Sequence, residues 1–204
     1  MPQYVSETEF RESRMGIDIS KLQAGELVRW IERASDAIED EVHLSFAPRD
    51  SVVERLRTSN EVVVDKDGDV YLYPKRSHPI REVKAVTVGA PGEVPLAVPL
   101  AYVDVVPDET DDGRYVQVFG DFRLLRGGRV TWTITYDGGY DVDTPDEYPS
   151  WLRSCALEWT AGLLQRRGAQ AIILEGSGGI ADTSNIGKHL ETAKAYLDHK
   201  KRRF

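Results

Sequence analysis

Cysteine is almost missing from these 204 residues, with Cys155 standing alone. One thiol can form neither an intramolecular disulfide nor a cysteine-based zinc site, so the fold must hold without such staples. Histidine is scarce too, and His43, His78, His189 and His199 show no close ligand spacing. No apolar run comes near the ~20 residues that a membrane-spanning helix needs, and no basic-then-apolar leader opens the sequence as given. These absences predict a soluble protein, made in a reducing cytoplasm and without a membrane partner.

Positive charge is also short. Twenty-six basic residues face 34 acidic ones, a formal net charge of -8. Phosphate binding needs neutralising Lys and Arg, so this balance opposes adhesion to nucleic acid. Its commonest consequence is solubility, and it also suits the wall of a conduit for DNA. What the sequence does contain is ordinary for a globular chain, with 41% apolar and 29% charged residues. At this length one substantial core buries roughly 70% of the unfolded chain's surface.

Helical signals sit at the two ends. Ser6 with Glu9 forms a capping box for a short helix that Gly16 should stop. Ser20 with Gln23 forms a second box, ahead of Leu27, Ile31, Ala34, Ile38 and Val42, which share one helical face. That helix should end near 43–46, because Pro48 cannot continue it. Toward the C-terminus, Leu152, Ala156, Trp159 and Leu163 mark a helix over 151–167, with Gly168 as its cap. A Gly-rich loop at 175–179 separates it from a last amphipathic helix over 185–201, carrying Ile186, Leu190, Ala193 and Leu197.

Between the helices the period changes to two. Runs at 61–64, 70–73, 83–88, 102–106, 115–119 and 129–136 alternate or are β-branched, with turn signals at Asp67-Gly68, Pro91-Gly92, Asp112-Gly113 and Gly127-Gly128. The prediction is an α+β fold. N- and C-terminal helices form a small helical bundle, and an antiparallel β-region of six or seven strands, sandwich or barrel-like, is inserted between them. The divisions fall at 1–48, 49–141 and 142–204.

Motifs that carry chemistry are incomplete. Asp65-Lys-Asp-Gly-Asp69 has Val70 and Arg76 where a calcium loop needs glycine and glutamate, so it reads as a hairpin turn. Gly187-Lys188 is preceded by Asp182 and followed by His189, where a phosphate loop needs glycine and Ser or Thr. No Gly-x-Ser-x-Gly occurs, and Cys155 falls on an apolar helix face, as a structural thiol would. The acids Asp108, Glu109, Asp111 and Asp112 share a hairpin tip, either simply solvated or facing a channel or docking partner. No catalytic, cofactor or metal residue is expected.

The segment Tyr136-Asp-Gly-Gly-Tyr140, a Pro-containing acidic stretch and a helix from Pro149 through Arg167 follow in order. This order resembles the head–tail connector (neck adaptor, head completion) proteins of tailed bacteriophages. In that family a strand ends in Tyr-x-x-Gly-Tyr, and a proline-led helix rich in small and large apolar residues follows and ends in Arg. The matching residues are Tyr136, Gly139, Tyr140, Pro149, Leu152, Ala156 and Arg167, and Ala37-Ile38-Glu39 resembles part of the family's first long helix. The long β-region and the extra C-terminal helix depart from minimal, mostly helical members.

The resemblance implies a structural virion protein with no enzymatic activity, assembled in the host cytoplasm and seated in the neck. It implies a homo-oligomeric ring, usually a dodecamer, under the portal protein and above a stopper or tail-completion protein. Genomic DNA would pass through without sequence-specific binding. The basic, aromatic-ended C-terminus either complements a helix dipole or anchors the chain to a neighbour. The second reading makes Lys188, Tyr196, Lys200, Lys201, Arg202, Arg203 and Phe204 a candidate portal or subunit interface, and expects a chain lacking 186–204 to fold but not attach. Alternatives are a tail-completion or stopper protein, and a β-rich carbohydrate- or protein-binding module. For the last, Tyr71, Tyr73, Tyr102, Tyr115 and Trp132 would supply an aromatic platform.

Overall fold

The computed structural model describes residues 2–13, 15, 17, 19–20, 22–57, 60–107, 113–125, 130–174 and 186–201. The chain divides into two compact units, one of residues 1–42 with 142–204 and one of residues 43–141. The first is helical and the second is built of two antiparallel sheets, so the fold is α+β with an inserted β-region.

In the helical unit α1 (Glu7–Glu12) starts where expected, with the Ser6 hydroxyl accepting from the Glu9 N–H at 3.1 Å. The reciprocal half of the box is not made, because the Glu9 carboxylate turns to Arg153 at 2.7 Å. Helix α2 (Glu26–Val42) begins later than the Ser20 box predicts. A turn at Ile19–Leu22 comes first, and the Glu26 carboxylate then accepts from the Gln23 N–H. Pro48 does not end it; His43 does, by turning left-handed at φ 58°.

Helix α3 (Ser150–Leu174) runs straight through Gly168, so that glycine is no cap. Helix α4 (Ile186–Lys201) packs on α3 while α2 packs on it as well. A helix with a neighbour on two sides needs apolar residues around much of its girth. Leu152, Cys155, Ala156, Trp159, Thr160, Ala161 and Leu164 are all buried accordingly.

The β unit contains, among the described residues, eight strands in two four-stranded sheets. The first, in the order β1 (Arg49–Leu56), β8 (Thr131–Gly138), β4 (Ile80–Gly89), β5 (Leu96–Val98), carries Leu56, Val86, Trp132, Ile134 and Tyr136 inward. The second, β2 (Val62–Val64), β3 (Val70–Leu72), β7 (Gly113–Val118), β6 (Val103–Pro107), answers with Val70, Leu72, Val116 and Val118. The sheets share a core but no hydrogen-bonded ladder, which makes a sandwich. They close at one corner, where a side chain on Gly113 would lie 1.9 Å from the Ile80 carbonyl.

Residues 43–48 belong to this unit and not to the N-terminal helices as the 1–48 division expects. Ser45 donates to the Arg76 carbonyl and accepts from the His78 N–H, and Tyr140 donates to the Phe46 carbonyl. Leu44 and Phe46 are buried. Gly139 completes the junction at φ 82°, and a Cβ there would stand 2.0 Å from the Ala47 carbonyl oxygen.

Replacing Gly139 by Ala is therefore expected to cost about 3 kcal/mol through strain plus overlap. Gly92→Ala, at φ 88° with open space around it, should cost only about 1 kcal/mol of strain. Urea unfolding of both variants measures the difference.

Candidate functional site

The surface positions expected at the C-terminus divide. Helix α4 buries Leu190, Ala193 and Leu197 and leaves Lys188 and Tyr196 exposed. Lys200 and Lys201 lie on its last turn, while Arg202, Arg203 and Phe204 fall outside the described residues. The acidic tip of Asp108, Glu109, Asp111 and Asp112, between β6 and β7, also lies outside them, as does the Gly-rich loop at 175–179.

Helix α4 is not a detachable arm, which corrects the expectation that a chain lacking 186–204 stays folded. Leu190 sits where a side chain on Gly162 would be, 2.6 Å from that position. The Cys155 thiol donates to the Ala193 carbonyl, and His189 bonds Glu158. Lys194 reaches Glu41 at 3.7 Å. Removing α4 would expose this seam, at roughly 1.5–3 kcal/mol for each buried leucine.

The aromatic residues do not assemble into one platform. Trp132 is buried, edge-on to Phe122 at 5.3 Å. Tyr71, Tyr115 and Tyr73 do meet on the outer face of the second sheet, with centroids 5.7 and 5.3 Å apart. Their rings are tilted by 59° and 40°, and Asp65 accepts from the Tyr71 hydroxyl, so the three brace one another as cross-strand pairs. The Asp65 carboxylate also accepts from the N–H groups of Asp67, Gly68 and Asp69. It is the clasp of a hairpin turn, with Gly68 at φ 101°.

One buried polar cluster escaped sequence reasoning. Glu54 points inward from β1 and accepts from the Lys75 N–H (2.7 Å), the Arg76 N–H (3.2 Å) and the Tyr136 hydroxyl (3.1 Å). The Tyr136 oxygen in turn accepts from the Ser77 N–H at 3.1 Å. Burial, with the Glu54 carboxylate beside it, pushes the Tyr136 hydroxyl well above the ordinary tyrosine range. It stays a donor at any physiological pH. This arrangement holds a loop against β1.

The surface of the β unit is unusual in a different way. Of the exposed large apolar residues, Val53, Val63, Val94, Leu96, Leu100, Tyr102 and Phe119 all lie in it. Four of them, Val94, Leu96, Leu100 and Tyr102, belong to one stretch. The β4–β5 hairpin projects with residues 91–97 exposed throughout, Val94 at 88% and Leu96 at 72%, and a 3-10 turn brings Leu100 and Tyr102 (56%) after it. Phe119 donates its N–H to the Tyr102 carbonyl and adjoins them. The available signal was charge: from Ala85 to Val103 only Glu93 is acidic or basic.

On the other side of the unit a groove runs along the free edge of β1, lined by Val53, Glu54, Arg55, Glu61 and Arg76. Val53 is 51% exposed, and its carbonyl accepts from the Arg76 guanidinium.

Among the described residues no group of three or more His, Cys, Asp or Glu is placed to hold a metal, and no helix is long and apolar enough to cross a membrane. Compared with known proteins, the chain matches no family model and no curated protein at a significant level.

Two measurements check these assignments. Tyr136→Phe removes the acceptor of the Ser77 N–H and one donor to Glu54, and should cost about 1–3 kcal/mol in urea unfolding. Burial first, then Glu158, pushes the Cys155 thiol up to about 12 from an ordinary 9.0. A raised folded pKa adds stability below the unfolded value that is lost as pH rises toward the folded one. The stability of the wild type should therefore fall from about pH 9 upward, and less steeply in Cys155→Ala.

Proposed function

We propose that this chain is a structural subunit of a tailed-phage neck, a head–tail connector that assembles on the portal and works by docking, not by catalysis. The observation that carries the reading is the connector-like order from Tyr136 to Arg167, in which each matching residue has a definite structural task. Tyr136, near the end of β8, bonds Glu54 and Ser77. Gly139 combines a left-handed φ of 82° with a space that no side chain fits. Pro149 opens α3, accepting from the Leu152 and Arg153 N–H groups. Leu152 and Ala156 are fully buried, and Arg167 pairs with Glu26 and lies 5.8 Å from the Trp30 ring centroid.

In this reading the helical unit is the part shared with minimal connectors, and the β unit is an elaboration that supplies extra surface. The protein resides in the virion neck, and its partners are its own copies, the portal, and a stopper or tail-completion protein. Genomic DNA passes without sequence-specific contact.

The test is the mass of the purified protein alone and mixed with portal rings of its phage. A connector joins the rings in multiple copies. A chain that ignores portal and instead binds a glycan as a monomer overturns the proposal. With portal binding established, Lys188→Glu with Tyr196→Ala should weaken it about tenfold without changing the melting temperature. An unchanged affinity removes α4 from the interface.

A further inference from the structure

The exposed apolar hairpin and the groove of the β unit lie at opposite edges of its first sheet. The projecting hairpin, with Glu93 at its tip, extends from edge strand β5, and the groove follows edge strand β1. Their charges are complementary. Glu93 is the hairpin's one acid, and the groove offers the exposed Arg55 and Arg76. No ion pair engages these three among the described residues. The groove's own Glu61 is already engaged by Lys75 and by the Arg57 N–H, and Glu54 is buried in the cluster described above.

We propose that the hairpin at 90–102 of one subunit seats in the β1 groove of the next copy of this chain. Val94 and Leu96 cover Val53, and Glu93 reaches Arg55 and Arg76. This rests on the reading of the chain as a ring subunit and names the surfaces that would join the ring. Three observations select a second copy as the occupant. Each copy carries a net charge of -8, so like copies meet most readily at the stretch that is nearly free of charge. Hairpin and groove are on the same unit, the acid of one complements the two arginines of the other, and the groove offers Val53 as its apolar contact. A hairpin-to-hairpin dimer would set two Glu93 side chains together, whereas hairpin-to-groove contact opposes acid and base. Such a contact uses two different patches, so it repeats head to tail and closes as a ring when the rotation allows. Pro95 and Pro99 bracket the three-residue edge strand, which limits strand addition, so recognition falls to side chains.

The full-length double variant Val53→Cys with Leu96→Cys tests this by oxidative cross-linking under assembly conditions. Both sites are exposed, so melting temperatures should match wild type, and the native Cys155 is buried and silent. A ladder of covalent multimers that neither single variant forms is expected. Glu93→Arg should weaken assembly about tenfold, and adding Arg55→Glu with Arg76→Glu should restore it. Leu96→Cys alone forming dimers, or cross-linking to portal, overturns the proposal. So does wild-type multimerisation with no ladder in the double variant, which leaves the ring reading standing. A wild-type chain that stays monomeric alone and with portal overturns both.

Discussion

A carboxylate buried at the edge of a sheet sandwich has to be met by hydrogen bonds, and the way Glu54 is met sets much of the β unit. Its partners are two backbone N–H groups of the 75–76 segment and the Tyr136 hydroxyl. Meeting them pins the segment before β4 against β1. Tyr136 extends the hold to Ser77, which lies so near Gly138 that a Cβ there would be 2.8 Å away. Arg76 and His78 take Ser45 as their partner, and so residues 43–48 join the sandwich. The groove along β1 inherits its Arg76 wall from the same loop. A fold that left Glu54 unanswered would lose its hold on the 75–77 loop, because an unpaired buried charge costs several kcal/mol.

The elements that could be read from the residues were those in which one physical rule acted alone. Helix α2 keeps a clean apolar face and β8 a clean alternation, since each has one buried side. Strand β1 was missed because it breaks that alternation. Val53 faces out, Glu54 faces in, and Ser51 at φ 52° shifts the register with β8. Strand β5 has three residues between prolines, too few for any period to show. Gly168 looked like a helix end because its local cost in a helix is about 1 kcal/mol. The helix nevertheless continues through it to Leu174.

The same distinction explains why the surfaces were harder to read than the fold. Apolar residues in a β-texture are read as core, and Val94, Leu96 and Leu100 are not. Only the company they keep separates them: nineteen residues from Ala85 to Val103 hold a single charge in a chain where 29% of residues are charged. The C-terminal helix misled in the opposite direction. Its basic end suggested a free anchor, while Leu190, Ala193 and Leu197 already specified a packed face, and a helix cannot offer one face to two neighbours.

Charge repulsion between copies and the proposed self-assembly act on this chain in opposite senses. A net charge of -8 keeps copies apart, and its repulsion falls off over a Debye length of about 8 Å at physiological salt. A projecting, nearly uncharged hairpin carries its apolar side chains away from the acidic bulk, so contact can form at its end while the bodies remain separated. In the proposed contact one acid at the tip would do what a larger apolar patch cannot, discriminating between the arginines of the groove and another hairpin. Selectivity of that kind adds little affinity by itself, since exposed ion pairs contribute about 0–1 kcal/mol. Its effect is on which surfaces meet, and in the proposed ring that choice would determine whether copies stop at two or continue around.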